Sequence, residues 1–199
     1  MPEPIIICGD SLQIMESIPT ESINLVFTDP PYADQTMPLY NKLAQEAARV
    51  LVPGGSLLML IGIYRMPEII NVTAQYLTYY WCCSLYHKQA SVFHKRGVRQ
   101  IWKPILWFTK GTVGLPHSEI EDGVRPTGSQ KDYHNQQQAE SWALHFIEAL
   151  VPIGGTVLDP FIGTGTTGVI CKRLRRNCIG IDSDPQQIEA TLKRLALEK

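Results

Sequence analysis

Apolar residues come along this chain in two alternating rhythms. Short β-branched or continuous apolar runs at 4–8 (PIIIC), 23–28 (INLVFT), 56–62 (SLLMLIG), 79–87 (YYWCCSLYH), 104–110 (PILWFTK), 156–159 (TVLD) and 177–182 (NCIGID) predict strands. Between them, apolar positions three and four apart predict helices over 12–18, 38–51, 67–77, 139–150, 164–176 and from Pro185 onward. Helix-ending V-P-G-G at 52–55 and V-P-I-G-G at 151–155 both lead into strands, so one helix-to-strand corner is used twice. Asp184 and Pro185 form the cap and first position of the last helix. About seven strands alternating with helices predict one α/β domain over residues 1–199. Its sheet is mostly parallel, with helices on both faces. Ligands of such sheets sit beyond the carboxyl ends of the strands. Residues 88–103 read as a basic connector between two strands. Residues 111–133, rich in Gly, Pro, Ser and charge, read as a long functional loop.

Composition narrows the class. The 199 residues are 44% hydrophobic, enough for one core and without a run long enough to span a membrane. The N-terminus lacks a basic region and a cleavage site, so a cytoplasmic protein without a signal peptide is expected. The five cysteines (Cys8, Cys82, Cys83, Cys171 and Cys178) lie in apolar stretches without a C-x-x-C pair. They read as buried free thiols in a reducing compartment, with no metal site. Trp81, Trp102 and Trp107 lie on apolar strands and read as core. Net charge is −1, but no Asp or Glu occurs from Ile69 to Ser118. That stretch holds Lys88, His94, Lys95, Arg96, Arg99 and Lys103, a local basic face suited to a phosphate backbone.

Two stretches carry chemistry. The strand 23–28 ends in Asp29-Pro30-Pro31-Tyr32: a carboxylate, two residues without backbone donors, and an aromatic ring. The strand 156–159 ends in Asp159 and leads through Phe161, Gly163 and Gly165 into a helix at Thr166-Thr167. Glycines let backbone approach a ligand, and a helix start offers N–H groups. Seventeen residues beyond Gly165, another strand ends in Asp182, placed to take ribose hydroxyls. The third glycine of the dinucleotide fingerprint is missing, so a nucleoside ligand of another kind is indicated. Asp10 follows the first strand's carboxyl end.

Together, DPPY and DPFxGxGTT resemble the amino-group DNA methyltransferases that use S-adenosylmethionine. Having DPPY first and the glycines last resembles their beta group, a circular permutation of the Rossmann-like methyltransferase fold. The segment DYHNQQQAESW resembles the cofactor-site opening of small phage- and plasmid-type N6-adenine enzymes. It departs from the common H-P-T-Q-K-P, however, at 134–139. The resemblance implies that Asp29 and the Pro30 carbonyl accept the two hydrogens of the target amine. Pro31 stiffens that turn, and Tyr32 stacks on a base taken out of the duplex. It places Phe161 near the cofactor's adenine, with Asp10 near that adenine's amine. Asp159, Gly163, Gly165, Thr166 and Thr167 hold the methionine portion, and Asp182 takes the ribose, with His134 and Gln137 nearby.

The expected activity is methylation of adenine N6 in double-stranded DNA, without a metal. N4-cytosine methylation uses the same motif, although Ser is commoner there at the position of Asp29. Methylation of RNA or of a protein amide, or an inactive nucleic-acid-binding module, are the other readings; permuted order and intact motifs speak against them. The interval from Gly111 to Asp132 is short for a target-recognition region, so 88–103 and 111–133 are expected to form a reduced one with short or relaxed specificity. A homodimer is left open. A stand-alone modifier of a bacterial, archaeal or phage-infected cell, of the kind met in restriction-modification and on mobile elements, fits this outline.

Overall fold

A computed structural model describes residues 2–31, 37–93, 97–112, 119–125 and 140–198, without the side chains of 87–93. The chain runs β1 (Ile5–Cys8), α1 (Ser11–Ser17), β2 (Ile23–Thr28), α2 (Met37–Val50), β3 (Leu51–Leu60), α3 (Met66–Thr73), β4 (Thr78–Phe93), β5 (Val98–Thr109), β6 (Gly123–Val124), α4 (Glu140–Leu150), β7 (Thr156–Asp159), α5 (Thr166–Arg173), β8 (Asn177–Asp182) and α6 (Pro185–Leu197). The eight strands form one sheet in the order β1-β8-β7-β2-β3-β5-β4-β6. Among the described residues only β5 runs against the others.

The alternating side chains of the central strands sort the core into two layers. Leu25, Phe27, Leu58, Leu60, Ile105 and Trp107 pack with Trp142 and Phe146 of α4 and Ile170 of α5. Val26, Leu57, Met59, Leu106 and Phe108 face the other way, against Met15, Tyr40, Leu43 and Ile69 of α1 to α3. Each such side chain, fully buried, contributes about 1.5–3 kcal/mol.

The repeated helix-to-strand corner has a physical reason. Gly54 and Gly154 both sit at left-handed φ, +80° and +79°. Their neighbours Gly55 and Gly155 pack against Asn24 of β2, the first near its carbonyl oxygen and the second near its Oδ1. Asn24 Oδ1 also accepts from Thr156 N at 2.8 Å. The two corners thus flank β2 and seat β3 and β7 on either side of it.

Several expectations are corrected. Residues 88–93 and 98–103 are not a connector; they continue β4 and β5 as one long antiparallel hairpin. Within the long loop, Gly123 and Val124 add an eighth strand beside β4. Cys83, Cys171 and Cys178 are buried, but Cys82 is only partly so and Cys8, on edge strand β1, is exposed. Trp107 is core, whereas Trp81 is 51% exposed and its indole donates to Asp122. No described helix is long and apolar enough to cross a membrane.

Candidate active site

Four neighbouring parallel strands bring four carboxylates to one edge of the sheet. Reading across it, Asp10 follows β1, Asp182 ends β8, Asp159 ends β7 and Asp29 follows β2. All four line one cavity of about 550 Å³, together with Pro31, Phe161, Gly163, Thr166 and Thr167. That volume suits a nucleoside-sized ligand. No Lys, Arg or His is among the described residues lining it. Four acidic side chains around one cavity disfavour a polyphosphate and favour a ligand bearing positive charge.

The carboxylates are differently employed. Asp10 caps α1, its Oδ1 accepting from Leu12 N and Gln13 N at 2.9 and 3.0 Å. Asp182 accepts from Gly163 N at 3.0 Å through Oδ2 and from Asp184 N at 2.9 Å through Oδ1. It therefore fixes the glycine turn from behind as well as facing the cavity. Asp159 is 5% exposed, with Oδ1 accepting from Phe161 N at 3.1 Å and Oδ2 from the Thr167 hydroxyl at 2.5 Å. Burial pushes its carboxyl up to about 7, against the hydrogen bonds from Thr167 and Phe161. The Thr28 hydroxyl also bears on this carboxyl, although its Oγ1 makes no hydrogen bond of full geometry among the described residues; the nearby Asp29 charge pushes the carboxyl further up.

The glycines split in function. Gly163 (φ +52°) lines the cavity, and a Cβ there would point into open space. Gly165 (φ +82°) does not line it. It forms the N-terminal boundary of α5, and a Cβ would lie 2.7 Å from Thr191 Cγ2. Pro30 is buried beneath the turn, whereas Pro31 faces the cavity.

Other contributors were not singled out from sequence. Trp142 of α4 lines the cavity and packs on Phe27, ring centroids 4.1 Å apart. Among the described residues its buried Nε1 has no hydrogen-bond partner. Tyr40 of α2 donates its hydroxyl to the Pro31 carbonyl at 3.5 Å. Burial, and then the Asp29 charge, push that phenol up to about 12, so it stays a donor at neutral pH. Ser11 donates to the Pro160 carbonyl, tying α1 to the loop after β7. Only the apolar spacing of the two helices hinted at Trp142 and Tyr40; both are ordinary core positions until the fold aligns them with Asp29.

Past Ile105, which pairs with the last residue of β3, the β4–β5 hairpin projects beyond the carboxyl edge that carries the cavity. Arg99 and Lys103 lie on this arm, on one face by strand alternation. Lys88 is in β4, but its side chain is outside the described part. Tyr32, His94, Lys95, Arg96, His134 and Gln137 lie outside the described residues altogether.

Known proteins share this fold and part of this sequence. A family profile for DNA methylases matches residues 23–193. Type II methyltransferase M.HpaI of Haemophilus parainfluenzae is 26% identical over 234 aligned positions, covering 97% of this chain and 74% of that protein. M.HinfI of Haemophilus influenzae is 28% identical, covering 96% of this chain and 67% of its own length. The aligned length of M.HpaI exceeds the 199 residues here, so it holds internal residues without a counterpart in this chain. Among solved structures, PvuII DNA methyltransferase (cytosine-N4-specific) matches with a TM-score of 0.85 at 20% identity, covering 98% of this chain and 86% of that one. The M1.HpyAVI–SAM complex matches with a TM-score of 0.79 at 24% identity, covering 97% and 99%. With most of its length matched by the profile, this chain belongs to the N6/N4 DNA methylase family, whose methyl donor is S-adenosylmethionine.

Proposed function

We propose that the protein methylates the N6 amine of adenine in double-stranded DNA. One observation carries the proposal: the turn Asp29-Pro30-Pro31 opens into the same cavity as Asp159, Phe161, Gly163, Thr166 and Asp182. A nucleophile-activating turn and a nucleoside-binding loop share one enclosure.

The cavity fits the methyl donor. Its carboxylates match the donor's two positive charges, and Gly163 leaves space where a side chain would stand. The first N–H groups of α5, which begins at Thr166, lack intrahelical partners and suit a carboxylate. Phe161 offers a ring for the adenine, and Asp182 and Asp10 offer acceptors for ribose hydroxyls and the adenine amine. S-adenosylmethionine supplies a methyl carbon made electrophilic by its sulfonium.

The protein's own task is to make a poor nucleophile attack. The lone pair of adenine N6 is delocalised into its ring. Asp29 accepts one amine hydrogen and the Pro30 carbonyl accepts the other, which draws the nitrogen toward a tetrahedral shape and frees the pair. As the N–C bond forms, the methyl carbon's bond to sulfur breaks and its electron pair stays on sulfur as a neutral thioether; the nitrogen becomes cationic and yields its proton to Asp29. The prolines fix the carbonyl's direction and present no competing donor, and Tyr40 braces the turn from behind. Tyr32 is proposed to stack on the flipped base, worth about 1–3 kcal/mol. The projecting hairpin with Arg99 and Lys103, together with Lys88, His94, Lys95 and Arg96, is proposed to grip the DNA backbone. The short interval from Gly111 to Asp132 supports a reduced target-recognition region. N4-cytosine methylation remains the rival, with the PvuII enzyme sharing this fold; Asp rather than Ser at position 29 favours adenine.

The test is an Asp29→Ala variant assayed for cofactor binding by calorimetry and for transfer of labelled methyl to duplex DNA. Binding should stay within about threefold of wild type while transfer falls by more than about 100-fold. A variant that still transfers at near wild-type rate would remove Asp29 from the mechanism.

A further inference from the structure

Behind the cofactor loop lies a buried cation that the site so far leaves unused. Arg194 of α6 is 3% exposed. Its NH1 donates to the Thr164 carbonyl and to the Thr166 hydroxyl, both at 3.1 Å. Its NH2 donates to Glu140 Oε1 at 2.6 Å. One turn earlier on the same helix face, the Thr191 hydroxyl donates to the Gly163 carbonyl at 2.6 Å. The backbone from Gly163 to Thr166 is thus held from outside by two α6 side chains, while Asp182 holds Gly163 N. Glu140 is the first residue of α4, and two residues further on Trp142 lines the cavity from its other wall. A single guanidinium therefore spans the loop beneath the cavity and the start of the helix beside it.

We infer that Arg194 is a positioning residue for cofactor binding, setting the Thr164–Thr166 turn against the start of α4. This rests on the same loop taking S-adenosylmethionine. A buried arginine is required because three acceptors on two elements must be met at once by a planar fork; the single ammonium of a lysine reaches Glu140 or the turn, not both in that geometry. Arg173 forms the outer part of the same network, bonding Glu140 and, at 2.6 and 2.8 Å, both carboxylate oxygens of Glu198. It is 42% exposed in its side chain, and among the described residues its guanidinium bonds Glu140 and Glu198 rather than the loop, so it serves as the control.

The experiment compares wild type, Arg194→Lys and Arg173→Met in calorimetric titrations with S-adenosylmethionine, steady-state methyl transfer to DNA, and thermal melts. Wild-type binding alone tests the cofactor reading, independently of Arg194. For Arg194→Lys, the dissociation constant and KM for S-adenosylmethionine should rise about tenfold or more, as expected for losing a charge-assisted hydrogen bond. KM for DNA, and kcat at saturating cofactor, should stay within about twofold. Arg173→Met should lower the melting temperature but leave cofactor KM within about twofold. An unchanged cofactor KM in Arg194→Lys, a parallel loss in kcat and both KM values, or an equal cofactor defect in Arg173→Met would each overturn the assignment.

Discussion

Gly165→Ala puts the architecture of the cofactor loop to a quantitative trial. The residue sits at φ +82°, where an added Cβ costs about 1–2 kcal/mol from backbone sterics alone. The same Cβ would stand 2.7 Å from Thr191 Cγ2, 3.0 Å from its Oγ1 and 3.1 Å from its Cβ. Ordinary contact between carbons is about 3.5–4.0 Å, and forcing such an overlap in a packed region costs about 1–3 kcal/mol more. Thr191 is fully buried and its hydroxyl holds the Gly163 carbonyl, so it cannot swing aside without releasing the loop. The expected destabilisation is therefore about 2–5 kcal/mol, a large part of a stability of about 5–15 kcal/mol. In a chain of this size each kcal/mol lowers Tm by about 2–4 °C. Thr191→Ala removes two of the three clashing atoms at the cost of one hydrogen bond, about 1 kcal/mol. In thermal and urea denaturation the double variant should be more stable than the sum of the singles by about 1–2 kcal/mol. Additivity within about 0.5 kcal/mol would refute the contact as the cause.

Gly163→Ala should behave oppositely: its Cβ meets nothing in the fold, so stability falls by only about 1–2 kcal/mol, while cofactor affinity measured by calorimetry falls more than that because the methyl enters the cavity. The Asp159 carboxyl, raised from 3.8 to about 7, gives a pH signature. The contribution of Asp159 to the stability of the cofactor-free fold is complete below pH 4 and falls by on the order of 4 kcal/mol as pH rises to about 7, and Asp159→Asn removes that component of the pH dependence. A cationic ligand favours the ionised carboxyl, so affinity for S-adenosylmethionine should rise with pH through about 7 in wild type and be flat in Asp159→Asn. Replacing Arg99 and Lys103 by Ala should weaken DNA binding, reduce its salt slope by about 2 in fluorescence titrations, and leave cofactor affinity unchanged; an unchanged slope would remove the hairpin from the interface.

The site's outline was legible because its chemistry is local. Each of Asp29, Asp159 and Asp182 follows a run of buried apolar residues, and parallel strands align their carboxyl ends whatever the loop lengths. The V-P-G-G corners were readable for the same reason. The hairpin was missed because 98–103 runs past the end of β3, and a projecting ribbon lacks the half-buried alternation that marks a strand. Tyr40, Trp142, Thr191 and Arg194 look like ordinary helix positions in one dimension. Their importance comes from separations such as Arg194 to Thr164 and Glu140, which only the packed fold closes.

The most direct measurement is nucleoside analysis of unmethylated duplex DNA after incubation with the protein and labelled S-adenosylmethionine. The account predicts label in N6-methyladenine, absent with Asp29→Ala. Label in N4-methylcytosine would contradict the base assigned, and no label in DNA from a protein that binds the cofactor would contradict the account as a whole.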